Sequence, residues 1–550
     1  MSAFLDTSEK KDIKVDAVMN LEDEDLKKIN EFKEWMLSNG ASWPKIQWPC
    51  EDLSSGSRGA IALDDIDSGE VMMDIPGHLM MSPPIAFSTP HLGEVLLKHA
   101  KELLDDLLLA IFIMYEVSKG KESFYYPYIN ILPSPESSML WNDKEIRELQ
   151  DSRLTMRIRG RKASLRTVYE KRIRPIFNLY PDIFEPIIDF SYDKFAFAWF
   201  CIQARAFGRR LPWTAMVPFA DCLNHTNVQT KYDYEEDGNS LFRLFPSGQN
   251  SYKKGTEVFN SYGRRPNDNL LLDYGFAMLD NQWEKLDLMF TIGRDIELFV
   301  EKCALFHEMR MPVVNAFMVR RQGFPLEALM SLRLRSLNES EYDYIMLRKQ
   351  DHHSERQDKD QLLELLNQPL CISNELRALK SLEEELNKFL EMHQTTREQD
   401  ELTLKGSTAT AIITSTSSND QKTVIDDKDD NGKDDDKKDD DKKDDDDETM
   451  SPRKWCAVTY RLTRKNIAYI TIQKISHLIS YIKTTIQKGN KIKDNGIDNV
   501  DNVDNEDKSI MKSMVSILLG DIAPNDLEEQ VVNATFQYLM KIHLCQVDIE

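Results

Sequence analysis

The sequence predicts an α+β protein. Two β-rich segments, residues 46–90 and 196–290, are separated by a helical insert at 91–195 and followed by an all-α C-terminal domain. Three observations carry this reading. Apolar residues alternate, or run briefly between turn signals, in the first and third stretches. They recur with helical spacing in the second, and do so again beyond Thr291. The 550 residues are also enough for about two to four domains rather than one.

Residues 1–45 form an N-terminal segment with a docking helix. In LKKINEFKEWMLS, from Leu26 to Ser38, Ile29, Phe32, Trp35 and Met36 share one helical face, and Asn39-Gly40 is a stop signal. SRGAIALDDIDSGEVMMDIP reads as two short strands around the turn at 67–69, a hairpin-rich segment. ELLDDLLLAIFIMYEVSKG and VYEKRIRPIFNLY then carry helical periodicity, interrupted by the Pro-rich YYPYINILPSPES. Strand-forming composition returns from Ala215 through Phe290.

The helical domain is expected over 291–490, from IELFVEKCALFHEM through NELRALKSLEEELNKFLEMH. It is interrupted by a disordered acidic insertion at 405–450 and resumes at WCAVTYRLTRKNI. Residues 491–550 read as a linker and a terminal segment without a legible role.

The formal charge is -23, and much of it is local: Asp426 to Glu448 holds 15 acidic residues against 6 lysines. Such a run repels itself and buries nothing, so a solvated insertion is expected, with recruitment of a basic partner as the sharper alternative. The acidic balance argues against direct nucleic-acid binding. Seven cysteines are scattered without C-x-x-C pairs, which speaks against structural zinc and for reduced thiols. No signal peptide and no membrane span are expected, and the protein is expected to be a cytoplasmic or nuclear monomer.

The stretch from Met216 to Phe276 is the most informative. MVPFADCLNHTN reads as an apolar strand ending in Asp221, Asn224 and His225, and GTEVFNSYG as a second strand ending in Tyr262 and a glycine. Polar side chains at strand ends commonly meet ligands. Alone, the first would be an Asx-type turn with a surface histidine, and the second a packing tyrosine. Together they suit a site that holds a charged small molecule and orients a nucleophile. No metal site is expected there.

SRGAIALDDIDSGEVMMDIP, QARAFGRR, VPFADCLNHTN and GTEVFNSYGRRPNDNLLLDYGF, in that order, resemble the SET-domain protein methyltransferases. The resemblance is to the branch of the Rubisco large-subunit lysine methyltransferase and the actin-histidine methyltransferase. It extends through FPLEALMSLRLRSL and NELRALKSLEEELNKFLEMH to WCAVTYRLTRKNI, which look like the branch's helical substrate-binding domain. Coverage is roughly residues 45 to 475.

The resemblance implies a β-rich SET domain split by the insert, S-adenosyl-L-methionine as cofactor and a protein substrate. By the same resemblance Tyr262 is the catalytic residue. The cofactor would be held by Gly59, Ala60, Ile61, Arg205, Asn224, His225, Tyr274, Gly275 and Phe276. Arg205, Phe207, Arg209, Asp221, Tyr234, Tyr262 and Tyr274 would line the substrate side, with Tyr232 able to replace Tyr234. An apolar Phe207 suits the aliphatic stem of lysine better than an imidazole. A non-histone lysine is therefore the expected target, with histidine methylation or a catalytically inactive SET-fold scaffold as alternatives.

Overall fold

The computed structural model describes residues 23–50, 58–208, 210–235, 240–321, 323, 325–351, 362–363, 365–367, 370–407 and 450–493. The core of the acidic insertion, Arg209 and the terminal segment from residue 494 lie outside the described residues. The chain divides into two compact units, Met1–Ala277 with Leu402–Val458, and Met278–Glu401 with Thr459–Glu550.

In the first unit α1 (Asp23–Ser38) buries Ile29, Phe32 and Met36, the face expected from their spacing. Phe32 packs edge-on against Trp48 with ring centres 5.9 Å apart. Gly40, at φ +87°, ends the helix in a conformation that glycine adopts without penalty.

Strands β1 (Ile46–Cys50), β2 (Gly59–Ala62) and β3 (Met73–Pro76) follow. β2 and β3 do not form a hairpin across the turn at 67–69. β2 is the middle strand of a sheet ordered β1-β2-β6, while β3 joins a second sheet ordered β3-β5-β4. The intervening chain is captured by distant partners instead: the Ile66 amide bonds Tyr252, and the Met72 amide bonds the Leu244 carbonyl at 2.8 Å. Each strand thereby buries its apolar side chains, Ala60 and Ala62 in one sheet, Met73 and Ile75 in the other.

The insert supplies α2 (Asp105–Ser118), apolar all round from Leu107 to Met114 and correspondingly buried, and α3 (Ser152–Val168), which is amphipathic with a basic outer face. α4 (Tyr192–Arg205) leads out of the insert and ends on Arg205. β4 (Thr230–Glu235) and β5 (Leu241–Pro246) pair in register from Thr230↔Pro246 to Glu235↔Leu241. The two-residue β6 (Glu257–Val258) completes the first sheet, and α5 (Asn267–Asp273) precedes Tyr274.

The segment MVPFA is not a strand. Met216 makes one bridge to Met81, Phe219 adopts φ +71°, and Ala220–Cys222 is a 3-10 turn. Phe219 is fully buried and stacks on Trp43 with centres 4.0 Å apart, which holds a backbone conformation unusual for a residue with a Cβ.

The second unit is mostly helical, with α6 (Phe299–Glu308), α7 (Leu326–Arg335), α8 (Ile372–Glu391), α9 (Arg397–Ser407) and α10 (Pro452–Lys493); the last two also contribute residues to the first unit. It also contains an antiparallel ribbon, β7 (Lys285–Phe290) with β8 (Asn315–Arg320). β7 was expected to close the second β segment. It belongs to this unit because Leu286, Leu288 and Phe290 enter a core with Leu329 and Leu332 of α7, Leu379 and Leu382 of α8, and Ile467 and Ile475 of α10.

Candidate active site

The two motifs of the 216–276 stretch lie side by side. His225 and Asn260 form a parallel bridge, and the Asn260 amide donates to the Asn224 carbonyl at 2.8 Å. Across this seam the Tyr262 hydroxyl donates to the Leu223 carbonyl at 2.8 Å, and the Tyr262 amide donates to His225 Nδ1 at 3.1 Å. The hydrogen of the phenol is thus committed to a carbonyl, and the lone pairs of its oxygen remain able to accept.

Tyr262 is sandwiched between rings. His225 stacks on it at 4.9 Å with an interplanar angle of 13°, Tyr274 at 4.8 Å and 25°, and Phe276 meets it edge-on at 6.4 Å. Burial pushes the Tyr262 hydroxyl well above the usual phenol range, so it is protonated at neutral pH. Burial likewise lowers His225 to about 4, leaving a neutral imidazole. Neither group is a base near pH 7.

Arg205 reaches the same cluster from the end of α4. Its Nη1 donates to the Asp221 carbonyl at 3.1 Å and to Asp221 Oδ2 at 3.2 Å. Burial works against its charge, but Asp221 beside it more than offsets this, and the guanidinium stays ionised. A fifth of the side chain is exposed, and its other nitrogens make no hydrogen bond among the described residues. Aromatic faces beside a partly free guanidinium suit a ligand carrying both a positive centre and a carboxylate.

Asp221 itself departs from the expectation that it faces substrate. Its side chain has no exposed surface, and its oxygens accept from Tyr128, Arg205 and the Cys222 thiol. It holds Arg205 in place rather than meeting a ligand. Tyr128, from the insert and 93 residues away, donates at 2.7 Å. Nothing local in the sequence marks that pairing.

Gly59, Ala60 and Ile61 are close by through β6, since Ile61 pairs with Glu257 and Glu257 accepts from Asn224 Nδ2 at 2.9 Å. β2 has a strand on each side, however, so Ala60 and Ile61 use their backbone groups in the ladder rather than offering them to a ligand. Gly275 is demanded by packing: at φ +84°, an added Cβ would lie 2.0 Å from the Glu136 carbonyl oxygen. That contact seats the Tyr274–Phe276 segment on the insert.

On the other side, Thr230 at the start of β4 donates to Asn260 Oδ1 and accepts from the Ser261 amide. Tyr232 and Tyr234 follow on the same strand face, about 7 and 13 Å further at the rise of a strand. Tyr232 is therefore the nearer to Tyr262, and it packs edge-on against Phe207 at 5.4 Å, whereas Tyr234 packs on Trp213. Phe207 is buried behind Tyr232 and lines no open surface itself. Arg209 lies outside the described residues. Among those residues there is no group of three or more potential metal ligands and no helix long and apolar enough to cross a membrane.

Comparison with known proteins bears on this arrangement. Solved structures of the SET domain of LSMT bound to lysine and AdoHcy, and of Rubisco LSMT bound to AdoMet, superpose with TM-scores of 0.58 and 0.57 at 20% and 21% identity. They cover 84% and 88% of this chain, and 93% and 99% of theirs. The chain has a SET fold. Residues 294–467, which follow the SET-fold segments in the sequence, match the family model described as Rubisco LSMT substrate-binding.

Related sequences include the chloroplastic ribulose-1,5 bisphosphate carboxylase/oxygenase large subunit N-methyltransferase of Pisum sativum, 27% identical over 50% of this chain and 56% of the relative. The chloroplastic [fructose-bisphosphate aldolase]-lysine N-methyltransferase of Arabidopsis thaliana is 27% identical, over 56% and 64%. The actin-histidine N-methyltransferase of Xenopus tropicalis is 23% identical, over 68% and 64%. The matches thus span between about half and two thirds of these relatives' lengths. The related sequences thus include both a lysine and a histidine N-methyltransferase.

Proposed function

We propose that this SET-fold chain is an S-adenosyl-L-methionine-dependent protein N-methyltransferase that modifies a lysine of a non-histone protein in the cytoplasm or nucleus. The observation that carries the reading is Tyr262, a protonated phenol whose hydrogen is fixed on the Leu223 carbonyl, between the rings of His225 and Tyr274 and beside Arg205.

When bound, the cofactor supplies an electrophilic methyl group on a sulfonium centre. Arg205 would hold its carboxylate, Asn224 and His225 its amino and adenine ends, and Tyr274 and Phe276 would flank it. Tyr262 turns its oxygen lone pairs toward positive charge and aligns the incoming amine, a positioning and electrostatic role that needs no covalent intermediate. Already protonated, with its hydrogen on the Leu223 carbonyl, it does not take the lysine proton, which leaves to water. The ring of Tyr232, backed by the buried Phe207, favours the apolar stem of a lysine over an imidazole.

The test is labelling of a cell lysate with methyl-labelled cofactor, comparing the intact protein with Tyr262→Phe and mapping the modified residue by mass spectrometry. Label on lysine, reduced about a hundredfold in the variant with cofactor affinity retained, is the expected outcome. Label on histidine overturns the lysine assignment. Absence of label with retained cofactor binding favours a binding scaffold.

A further inference from the structure

Two arginines of the insert helix α3 grip the two ends of α5, the helix that delivers Tyr274. Arg157 bonds Asp268 and, through Nη2 at 2.9 Å, Asn269. Arg161, one turn on, gives Nη1 to Asp273 Oδ1 at 2.8 Å. An aspartate in the last turn of a helix faces the negative end of the helix dipole and is disfavoured there. Asp273 is stabilised in that position by two guanidinium groups, Arg161 on Oδ1 and Arg265 on Oδ2 at 3.1 Å.

Arg265 continues the chain of contacts into the candidate site. Its Nε donates to the Tyr262 carbonyl at 2.9 Å, and its guanidinium lies over the Tyr274 ring, 5.4 Å from the centre. A stacked aromatic pair is worth only about 1 kcal/mol by itself. Gly263, at φ +101°, follows Tyr262 and allows the backbone unusual freedom. The register of the two rings thus depends on groups outside them.

We propose that Arg161, Asp273 and Arg265 form a positioning clamp that sets the Tyr262–Tyr274 stack, so that the helical insert tunes cofactor affinity without touching the cofactor. This rests on the methyl-transfer reading above. A helix that merely supports the fold would not distinguish its arginines. Arg159, on the same helix, pairs with Asp143 at 3.1 Å and forms no hydrogen bond or ion pair with α5 among the described residues, so it serves as the internal control.

Binding of S-adenosylhomocysteine to the full chain is measured by calorimetry for the wild type, Arg161→Gln, Arg161→Lys and Arg159→Gln, with the thermal midpoint of each. The dissociation constant should rise about tenfold in Arg161→Gln and stay unchanged in Arg159→Gln. Arg161→Lys, which can restore the single charged contact, should return within about twofold of the wild type. Unchanged affinity in Arg161→Gln, an equal loss in Arg159→Gln, or no recovery in Arg161→Lys overturns the clamp while the methyl-transfer reading stands. No binding by the wild type sinks that reading and the clamp with it. If Arg161→Gln does not fold, Asp273→Asn decides in its place: a weakened affinity supports the clamp, an unchanged one overturns it.

Discussion

His225 shows how one side chain is tied to its surroundings by what it cannot do. Its Nδ1 accepts from the Tyr262 amide at 3.1 Å and lies 3.2 Å from the Asn260 carbonyl. A protonated ring would present N–H toward N–H at the first of these. Burial adds to the penalty, and the folded pKa falls to about 4 against 6.5 for a free imidazole. Between these values the unfolded chain binds the extra proton, so this contribution is complete above about pH 6.5 and is lost as pH falls toward 4. Lowering the pH from 7 to 5 should remove about 2 kcal/mol through this group. Urea titrations of the wild type and His225→Gln at both pH values measure it, and equal pH dependence in the two proteins would contradict the assignment.

At the scale of elements, the second unit is held by buried ions as well as by its apolar core. Asp400 of α9 accepts from Arg461 at 2.9 Å and from Lys465 at 2.7 Å on α10, and all three side chains are almost wholly buried. Arg333 of α7 makes a two-pronged pair with Glu375 of α8 at 2.7 and 2.9 Å. Such pairs add little over apolar packing of the same shape, yet removing one partner strands the other in a low-dielectric interior. Asp400→Ala should therefore cost about 3–5 kcal/mol, because it removes the buried carboxylate that two buried cations share. Denaturant unfolding followed on the second unit would show it, and a loss below about 1 kcal/mol would mean that water reaches Arg461 and Lys465.

The whole molecule is two compact units with separate cores, and the residues of the candidate site all belong to the first. Units with their own cores unfold as separate transitions unless strongly coupled. A ligand that binds only the native first unit stabilises it by mass action, about 2.7 kcal/mol at a hundred times its dissociation constant. Scanning calorimetry with S-adenosylhomocysteine should accordingly raise one transition and leave the other in place. A single transition, or an equal shift of both, would show that the units unfold together.

Read by itself, the sequence determined the helical face of α1, the helical insert, the helical C-terminal region and the pairing of two polar motifs around Asn224, His225 and Tyr262. These rest on local periodicity and on short segments whose residue types are specific. Only the tertiary structure decided which strands pair, because β2 and β3 each find a partner far away in sequence rather than each other. It also decided that Asp221 is buried against Arg205, that Tyr232 rather than Tyr234 packs on Phe207, that Tyr128 bonds Asp221, and that Arg161 bonds Asp273. These side-chain contacts join residues as much as 112 positions apart, where neither spacing nor composition carries a signal and only the packed chain brings the atoms within reach.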